Sequence, residues 1–260
     1  MQVEQEGPAI HSSENGDGPQ TIVFIHGFGA NHSVWDAVAT SLAKQARTIA
    51  YDLPGHGLSL EAPGAGSAKF AARTILADLA RRGIDTVHVV GHSMGGAVAA
   101  LMALTEPQRI ATLTLLAPGG FGPEINGPLL RHYAEATNAE EIRACLAAMS
   151  GEGAKISDEG IGPYLAMRSH PGQRQKLVEI AAAITKGDRQ GMIPRELLAS
   201  LTMPVTVLWG THDPVLPFAQ ADNLPAQFTL RAVEDAGHML IGETPELVHE
   251  AIFANLADPV

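Results

Sequence analysis

Residues 91–96 read Gly-His-Ser-Met-Gly-Gly, and this stretch decides the fold. It follows an apolar run typical of a buried strand, residues 86–90, and it precedes an alanine-rich run typical of a helix. A strand, then G-x-S-x-G, then a helix predicts a turn so sharp that its central residue has a strained backbone. Glycine at positions Gly91 and Gly95 removes the Cβ atoms that would clash across the turn. We therefore predict that Ser93 is presented as a nucleophile at a helix N-terminus.

Strand-like and helix-like runs alternate along most of the chain. The apolar, strand-like runs are residues 21–26, 47–52, 86–91, 112–117, 205–210 and 228–233. The helical patterns between and after them are residues 33–44, 70–82, 95–105 and 245–256. Near-continuous apolar strands separated by helices predict an α/β fold with a mostly parallel sheet buried on both faces.

The alternation stops between the fourth and fifth predicted strands. Helical patterns take its place: Asn138 and Glu141 resemble a capping box, and Pro171 opens a second helical pattern. A single crossover between parallel strands does not need so much chain. We therefore predict a core made of residues 1–118 and 201–260, with residues 119–200 inserted as a helical cap over one edge of the sheet. Ordinary helices flanking the sheet are the alternative interpretation.

A serine nucleophile requires a base and an acid that orients the base. In a parallel sheet, reactive groups lie on loops that leave the carboxyl ends of strands. Asp213 follows the fifth predicted strand and His238 follows the sixth. The order Ser, Asp, His along the chain is the order found with a G-x-S-x-G turn. We therefore predict a catalytic triad of Ser93, Asp213 and His238, and we interpret His56, in a turn-forming run, as structural.

The remaining site predictions concern the oxyanion and the substrate. The turn after the first strand reads His-Gly-Phe-Gly at residues 26–29, and we predict that the backbone N–H groups of Phe28 and Met94 form an oxyanion hole. A glycine-rich turn without a ligand is the alternative. Several apolar or aromatic residues are predicted to line the substrate pocket, with packing on the core as the alternative. They are Leu129, Leu130, Tyr133, Met149, Tyr164, Leu165 and Met167 in the cap, and Met239 beside His238.

Composition excludes several classes of function. The formal net charge is −11, from 17 basic and 28 acidic residues, and such a field repels nucleic acid and anionic membranes. No G-x-G-x-x-G follows the first strand, and no His/Cys spacing fits a metal site. We therefore expect no cofactor, no metal, no nucleic-acid partner and no membrane partner.

The single cysteine, Cys145, allows no intrachain disulfide, which fits a reducing compartment. Residues 1–20 are polar and have no signal-peptide pattern, and no apolar run is long enough to span a bilayer. We expect a cytoplasmic protein whose oligomeric state the sequence leaves open.

Taken together, the motifs resemble the α/β-hydrolase superfamily over most of the chain. The carrying stretches are residues 26–29, 52–57, 91–96, 210–213 and 237–238. The elbow region and residues 116–127, Leu-Ala-Pro-Gly-Gly-Phe-Gly-Pro-Glu-Ile-Asn-Gly, are similar to the hydrolase-like acyltransferase component of acetoin dehydrogenase complexes. Those proteins usually carry a lipoyl domain ahead of the hydrolase domain. Only about 20 residues precede the first predicted strand here, so we expect no lipoyl domain.

The resemblance narrows the expected chemistry. Haloalkane dehalogenases and epoxide hydrolases carry Asp at the position of Ser93, so the serine argues against both classes. Meta-cleavage C–C hydrolases commonly carry Asn at the position of His92, so the histidine makes a C–C bond substrate less expected without excluding it. We expect a serine hydrolase that cleaves a small or medium carboxylic ester through an acyl-serine intermediate. The alternatives are acyl transfer to a thiol or alcohol by the same triad, hydrolysis of a C–C bond, and a non-catalytic binding protein on a hydrolase fold.

Overall fold

The computed structural model describes residues 10–257 and contains one six-stranded sheet in that range. The strands are β1 (Ser12–Ile25), β2 (Ala46–Tyr51), β3 (Val87–His92), β4 (Ile110–Leu116), β5 (Val205–Gly210) and β6 (Phe228–Val233), in the order β2-β1-β3-β4-β5-β6. Every neighbouring pair is parallel over the apolar, buried part of the strands. This confirms the predicted α/β fold with a mostly parallel sheet.

The helices of the described chain flank the sheet or lie between β4 and β5. They are α1 (Asp36–Leu42), α2 (Ala68–Arg81), α3 (Met94–Thr105), α4 (Gly127–Glu135), α5 (Ala139–Met149), α6 (Asp158–Arg168), α7 (Gln173–Ile184), α8 (Arg195–Ala199), α9 (Leu240–Glu243) and α10 (Pro245–Ala257). Helix α3 follows the predicted turn at Ser93 and is apolar almost all round. A helix with no polar face must be buried, and α3 packs on α2, β3 and β4.

Strand β1 begins nine residues before the start that the sequence predicts, at Ser12 instead of residue 21. The partners of residues 12–15 on β2 fall from Tyr51 to Thr48, so this first half runs antiparallel to β2. The partners of residues 21–25 rise from Arg47 to Tyr51, so the second half is parallel and occupies the inner edge of β2. The first half of β1 therefore covers the outer edge of β2, which is the last strand on this side of the sheet. Its sequence, Ser-Ser-Glu-Asn, lacks the apolar alternation that would have revealed a strand.

The segment between β4 and β5 is helical, and it holds α4 to α8 without a named strand in the described chain. As predicted, the Asn138 side chain caps α5 by accepting the backbone N–H of Glu141. The segment touches the loops at the carboxyl ends of β1 and β2. The Tyr133 hydroxyl donates to the carbonyl of Gly29 over 3.0 Å, and the Gln173 amide donates to the carbonyl of Gly55 over 2.8 Å. We refer to residues 119–200 as the cap segment.

None of the helices between residues 10 and 257 combines the length and the apolar character needed to cross a bilayer.

Candidate active site

The turn between β3 and α3 holds Ser93 in a strained conformation. Its backbone angles are φ 53° and ψ −116°, in the left-handed region that side chains other than glycine rarely adopt. A Cβ on Gly91 would come within 2.4 Å of the carbonyl oxygen of Gly95, and a Cβ on Gly95 within 2.3 Å of that of Ile25. The Ser93 N–H donates to the Leu116 carbonyl over 2.9 Å, which ties the turn to β4. Packing on both sides therefore holds this turn in place.

The loops after β5 and β6 bring a carboxylate and an imidazole together. Asp213 Oδ2 lies 2.7 Å from His238 Nδ1, and both side chains are buried. Asp213 Oδ1 accepts the N–H groups of Val215 and Leu216, each over 2.8 Å, so the carboxylate is fixed by its own loop. An ionised carboxylate can only accept, so the proton of the ring lies on Nδ1 and leaves Nε2 as a proton acceptor.

Ser93 and His238 line the same small cavity, which has a volume of about 20 Å³. The structure thus brings the three predicted triad residues to one place, with the Asp–His contact formed. The Ser93 hydroxyl makes no hydrogen bond to any of the residues that the structure describes. Contacts of this kind are commonly long in unliganded enzymes and shorten when substrate binds.

The backbone of His238 is held from two sides. Its N–H donates to the carbonyl of Met149, at the end of α5, over 2.8 Å. Its carbonyl oxygen lies 2.8 Å from Nε2 of His92, the residue before Ser93. Burial lowers the pKa of His92 to about 3, so the ring is neutral at physiological pH and donates through Nε2. His92 therefore links the Ser93 turn to the His238 loop, a contact that no sequence motif indicated.

Two buried histidines shape the loop that carries the predicted oxyanion donor Phe28. His26 Nε2 accepts the N–H of Leu53 over 2.9 Å, and His56 Nε2 accepts the N–H of Gly29 over 3.2 Å. Burial lowers the pKa of His26, and it lowers the pKa of His56 to about 3, so both rings are neutral acceptors. His56 therefore braces this loop, consistent with the structural role that the sequence suggested.

Phe28, Ser93 and Met94 line a second cavity of about 290 Å³. Met94 is the first residue of α3, where the helix offers its own N–H no acceptor. Most of the other residues around this cavity are apolar: Ala68, Ala97, Leu101, Ile125, Leu130, Ala183, Ile184, Met192 and Leu216. The predicted oxyanion donors thus adjoin the nucleophile and an apolar space of the size of a small ligand.

Most of the predicted pocket residues line the small cavity, and Leu130 alone among them also lines the larger apolar one. Tyr133, Met149, Tyr164 and Met239 line the 20 Å³ cavity beside Ser93 and not the larger apolar one. Leu129 lines neither and packs half-buried against the core, while its neighbour Leu130 lines both. Adjacent helical residues point about 100° apart, so the sequence pattern alone could not select between them.

A third, wider space of about 800 Å³ meets the small cavity from the solvent side. The two share Val34, His92, Tyr164, Met239 and Ile241. The charged residues around the wide space are mostly acidic: Asp36, Glu152, Lys155, Glu159, Glu234, Asp235 and Glu243. The small cavity that Ser93 lines therefore shares residues with an apolar cavity and with a wide, mostly acidic space.

A possible metal-ligand group lies apart from these cavities. His11, His32 and Asp52 bring three potential ligand atoms within 4.8 Å of one another. Both oxygens of Asp52 are already used, because Oδ1 accepts from the His32 ring and backbone and Oδ2 accepts from the Leu58 N–H. We therefore assign Asp52 and His32 to stabilising the turn that follows β2, which includes Leu58.

The strand–turn–helix that presents Ser93, inside a sheet of this topology, defines an α/β hydrolase. The profile described as "Alpha/beta hydrolase family" matches residues 22–251, and the chain belongs to this family.

Three curated relatives illustrate the range of chemistry around this chain. It is 31% identical to the dihydrolipoyllysine-residue acetyltransferase component of the acetoin cleaving system of Cupriavidus necator, over 90% of this chain and 63% of that protein. For the protein of the same name from Pseudomonas putida, the identity is 33% over 96% and 70%. A 2-hydroxy-6-oxononadienedioate/2-hydroxy-6-oxononatrienedioate hydrolase of Cupriavidus pinatubonensis is 27% identical over 80% and 75%. The chain thus spans just under two thirds of the first of these relatives.

Solved structures share the fold at lower identity. A serine hydrolase involved in carbazole degradation (CarC enzyme) superposes with a TM-score of 0.82 at 23% identity, covering 95% of this chain and 94% of that one. An esterase from Exiguobacterium antarcticum superposes with a TM-score of 0.80 at 20% identity, covering 98% and 97%.

Proposed function

We propose that the protein is a serine hydrolase that cleaves small or medium carboxylic esters through an acyl-serine intermediate. The observation that carries this proposal is the meeting of Ser93, on its strained turn, with His238 in one cavity, while Asp213 holds the far side of the imidazole at 2.7 Å. This arrangement supplies a nucleophile, a base and an orienting acid.

In the proposed reaction, Ser93 Oγ attacks the acyl carbon while His238 Nε2 takes the hydroxyl proton. Asp213 keeps the other ring proton in place and stabilises the imidazolium that forms. The N–H groups of Phe28 and Met94 donate to the oxyanion, and one such donor contributes roughly 3 kcal/mol. His238 then protonates the departing alcohol, and it activates the water that cleaves the acyl-serine.

The apolar cavity that Ser93 lines, and the wide space that shares residues with the small Ser93 cavity, support separate places for the two halves of an ester. We assign the acyl chain to the apolar cavity of about 290 Å³, because burial of its methylene groups there is favourable. We assign the leaving alcohol to the wide, solvent-facing space of about 800 Å³. Acyl length should therefore be limited more sharply than alcohol size.

The test compares wild type with Ser93→Ala on p-nitrophenyl esters from acetate to octanoate. We expect kcat to fall by about 10⁶-fold in S93A, because removing the nucleophile of a serine triad removes most of its catalysis. A fluorophosphonate probe should label wild type and not S93A. Ser200→Ala, at an exposed position after α8, is the matched control and should behave as wild type. Comparable ester turnover by S93A would show the mechanism to be wrong.

Acyl transfer to a thiol is the second candidate, and the names of the two relatives at 31% and 33% identity favour it. The same acyl-serine would form, and a thiol would replace water in the second step. Dihydrolipoamide added to the acetylated enzyme decides between the two. Acetyl-dihydrolipoamide formed in excess over free acetate indicates transfer, whereas acetate released at a rate independent of the thiol indicates hydrolysis.

A further inference from the structure

Glu243 ends α9, five residues after His238, and its carboxylate accepts three backbone N–H groups. Oε2 accepts from Gly237 over 2.9 Å and from Gly151 over 2.7 Å, and Oε1 accepts from Met239 over 2.8 Å. One side chain therefore binds the residues before and after the proposed catalytic base, and it binds the cap segment at the same time.

The backbone around these three bonds is closely packed. A Cβ on Gly237 would come within 2.4 Å of the Ser150 carbonyl carbon, and one on Gly151 within 2.1 Å of the Asp235 carbonyl oxygen. Asp235 itself has a φ of 60°, which costs free energy for a residue with a side chain. The His238 loop thus needs strong contacts to keep its shape, and Glu243 supplies two of them directly beside the histidine.

A carboxylate is the side chain that suits this position. Both of its oxygens only accept, and bonds from N–H groups to a charged acceptor are stronger than those to a neutral one. A glutamine would present an NH₂ group to at least one backbone N–H. In the described residues, Glu243 directs both oxygens at the backbone and neither at the Ser93 cavity.

We propose that Glu243 is a positioning residue that holds the His238 ring between Asp213 and Ser93 by fixing the backbone on both sides of it. The inference rests on the proposed function, because it requires His238 to act as the base. Loss of the three bonds would let the imidazole shift, and a displacement of about 1 Å from the reactive geometry costs on the order of 10² in rate.

The test is Glu243→Gln, with Glu250→Gln as the matched control. E250Q removes the same charge from an exposed position on α10. We expect E243Q to lose about 10²-fold in kcat, with KM within about twofold, because glutamine keeps the size of the side chain where it lines the wide space. We also expect the downfield proton resonance of His238 Nδ1–H to weaken or move, which a purely structural loss elsewhere would not cause. E250Q should match wild type in both measurements.

Circular dichroism and the thermal midpoint show whether E243Q is folded. If folded E243Q has wild-type kcat and an unchanged Nδ1–H resonance, the proposal is overturned. If E243Q does not fold, Glu243→Asp replaces it, since this variant keeps both acceptors and shortens the reach by one methylene. An intermediate loss of kcat in E243D supports the proposal, and wild-type kcat overturns it. Failure of both variants to fold assigns Glu243 to folding and also overturns it. Measuring S93A in the same assay separates this outcome from failure of the proposed function, because only the latter leaves S93A active.

Discussion

Among residues 10–257, two histidine–aspartate pairs have the same 2.7 Å contact between the side chains. His32 Nδ1 lies 2.7 Å from Asp52 Oδ1, and His238 Nδ1 lies 2.7 Å from Asp213 Oδ2. Both carboxylates are completely shielded from solvent, and both also accept backbone N–H groups of nearby turns. By distance and burial of the acid, either pair could orient a catalytic imidazole.

The two pairs differ in what lies in front of the ring. The His32 side chain is 19% exposed and its ring lies beside that of His11, with 5.0 Å between centroids. The His238 side chain is 3% exposed and shares a cavity with Ser93. A histidine–aspartate pair alone therefore does not define an active site. The role that we propose for the His238 pair depends on Ser93, which lines the same cavity.

The largest expected difference between the pairs appears when each histidine becomes glutamine. His238→Gln removes the proposed base and should lower kcat by about 10⁶-fold, because a serine triad without its histidine loses nearly as much as one without its serine. His32→Gln, the matched change in the other pair, should leave kcat within about threefold of wild type. Steady-state ester hydrolysis measures both. A comparable loss in H32Q would break the distinction between the pairs.

A smaller effect is expected from Asp213, the acid of the proposed catalytic pair. Asp213→Asn keeps the shape of the side chain but can no longer hold the proton on Nδ1 of His238, and kcat should fall by about 10⁴-fold. The variant should retain its fold by circular dichroism, so that the loss is attributable to the tautomer. If kcat of D213N stays within tenfold of wild type, the carboxylate does not orient the base.

The smallest effect concerns stability and belongs to the other pair. The hydrogen bond to Asp52 raises the pKa of His32 above its usual 6.5, so this pair adds stability below about pH 6.5 that is lost as the pH rises through the higher folded-state pKa. Burial alone would raise the pKa of Asp52, but hydrogen bonds from the ring and the backbone N–H of His32 bring it down to about 2. The contribution of Asp52 is therefore present above about pH 4 and is lost as the pH falls towards 2.

Urea unfolding of wild type and H32Q at pH 5 and pH 9 measures this contribution. We expect H32Q to be about 1 kcal/mol less stable at pH 5, a modest value because the His32 side chain is partly exposed and the pair is screened by solvent. The difference should shrink towards pH 9, because the charge that strengthens the bond to Asp52 is lost as the pH rises through the raised pKa of His32. A difference that grows with pH would contradict the assigned direction.

The sheet and the Ser93 turn could be predicted from the sequence because their signals are local. Apolar runs mark the strands, and glycine at Gly91 and Gly95 is demanded by contacts within the turn and with the end of β1. The positions of Asp213 and His238 followed from topology, since the carboxyl ends of parallel strands share one edge. A rule about strand ends was enough to place residues that lie 120 and 145 positions after Ser93.

The features that escaped prediction depend on contacts that leave no pattern. The first half of β1 is polar because it covers a sheet edge, so it lacks a strand signature. Glu243 acts on backbone N–H groups, which are the same whatever the side chains of Gly237 and Met239 are. Leu129 and Leu130 are chemically identical, and only the rotation of α4 decides which of them faces the apolar cavity.

The bond from His238 to the Met149 carbonyl has a consequence for exchanging modules between relatives. If the cap segment of a relative replaced the chain between β4 and β5, the Met149 carbonyl that binds His238 would be replaced by that of another residue. The Gly151 N–H that binds Glu243 would be replaced as well. Chimaeras made at those junctions should therefore change turnover as well as selectivity. A chimaera that keeps residues 149–151 of this chain would preserve the contacts of His238 and Glu243. The rest of the cap segment could then vary independently.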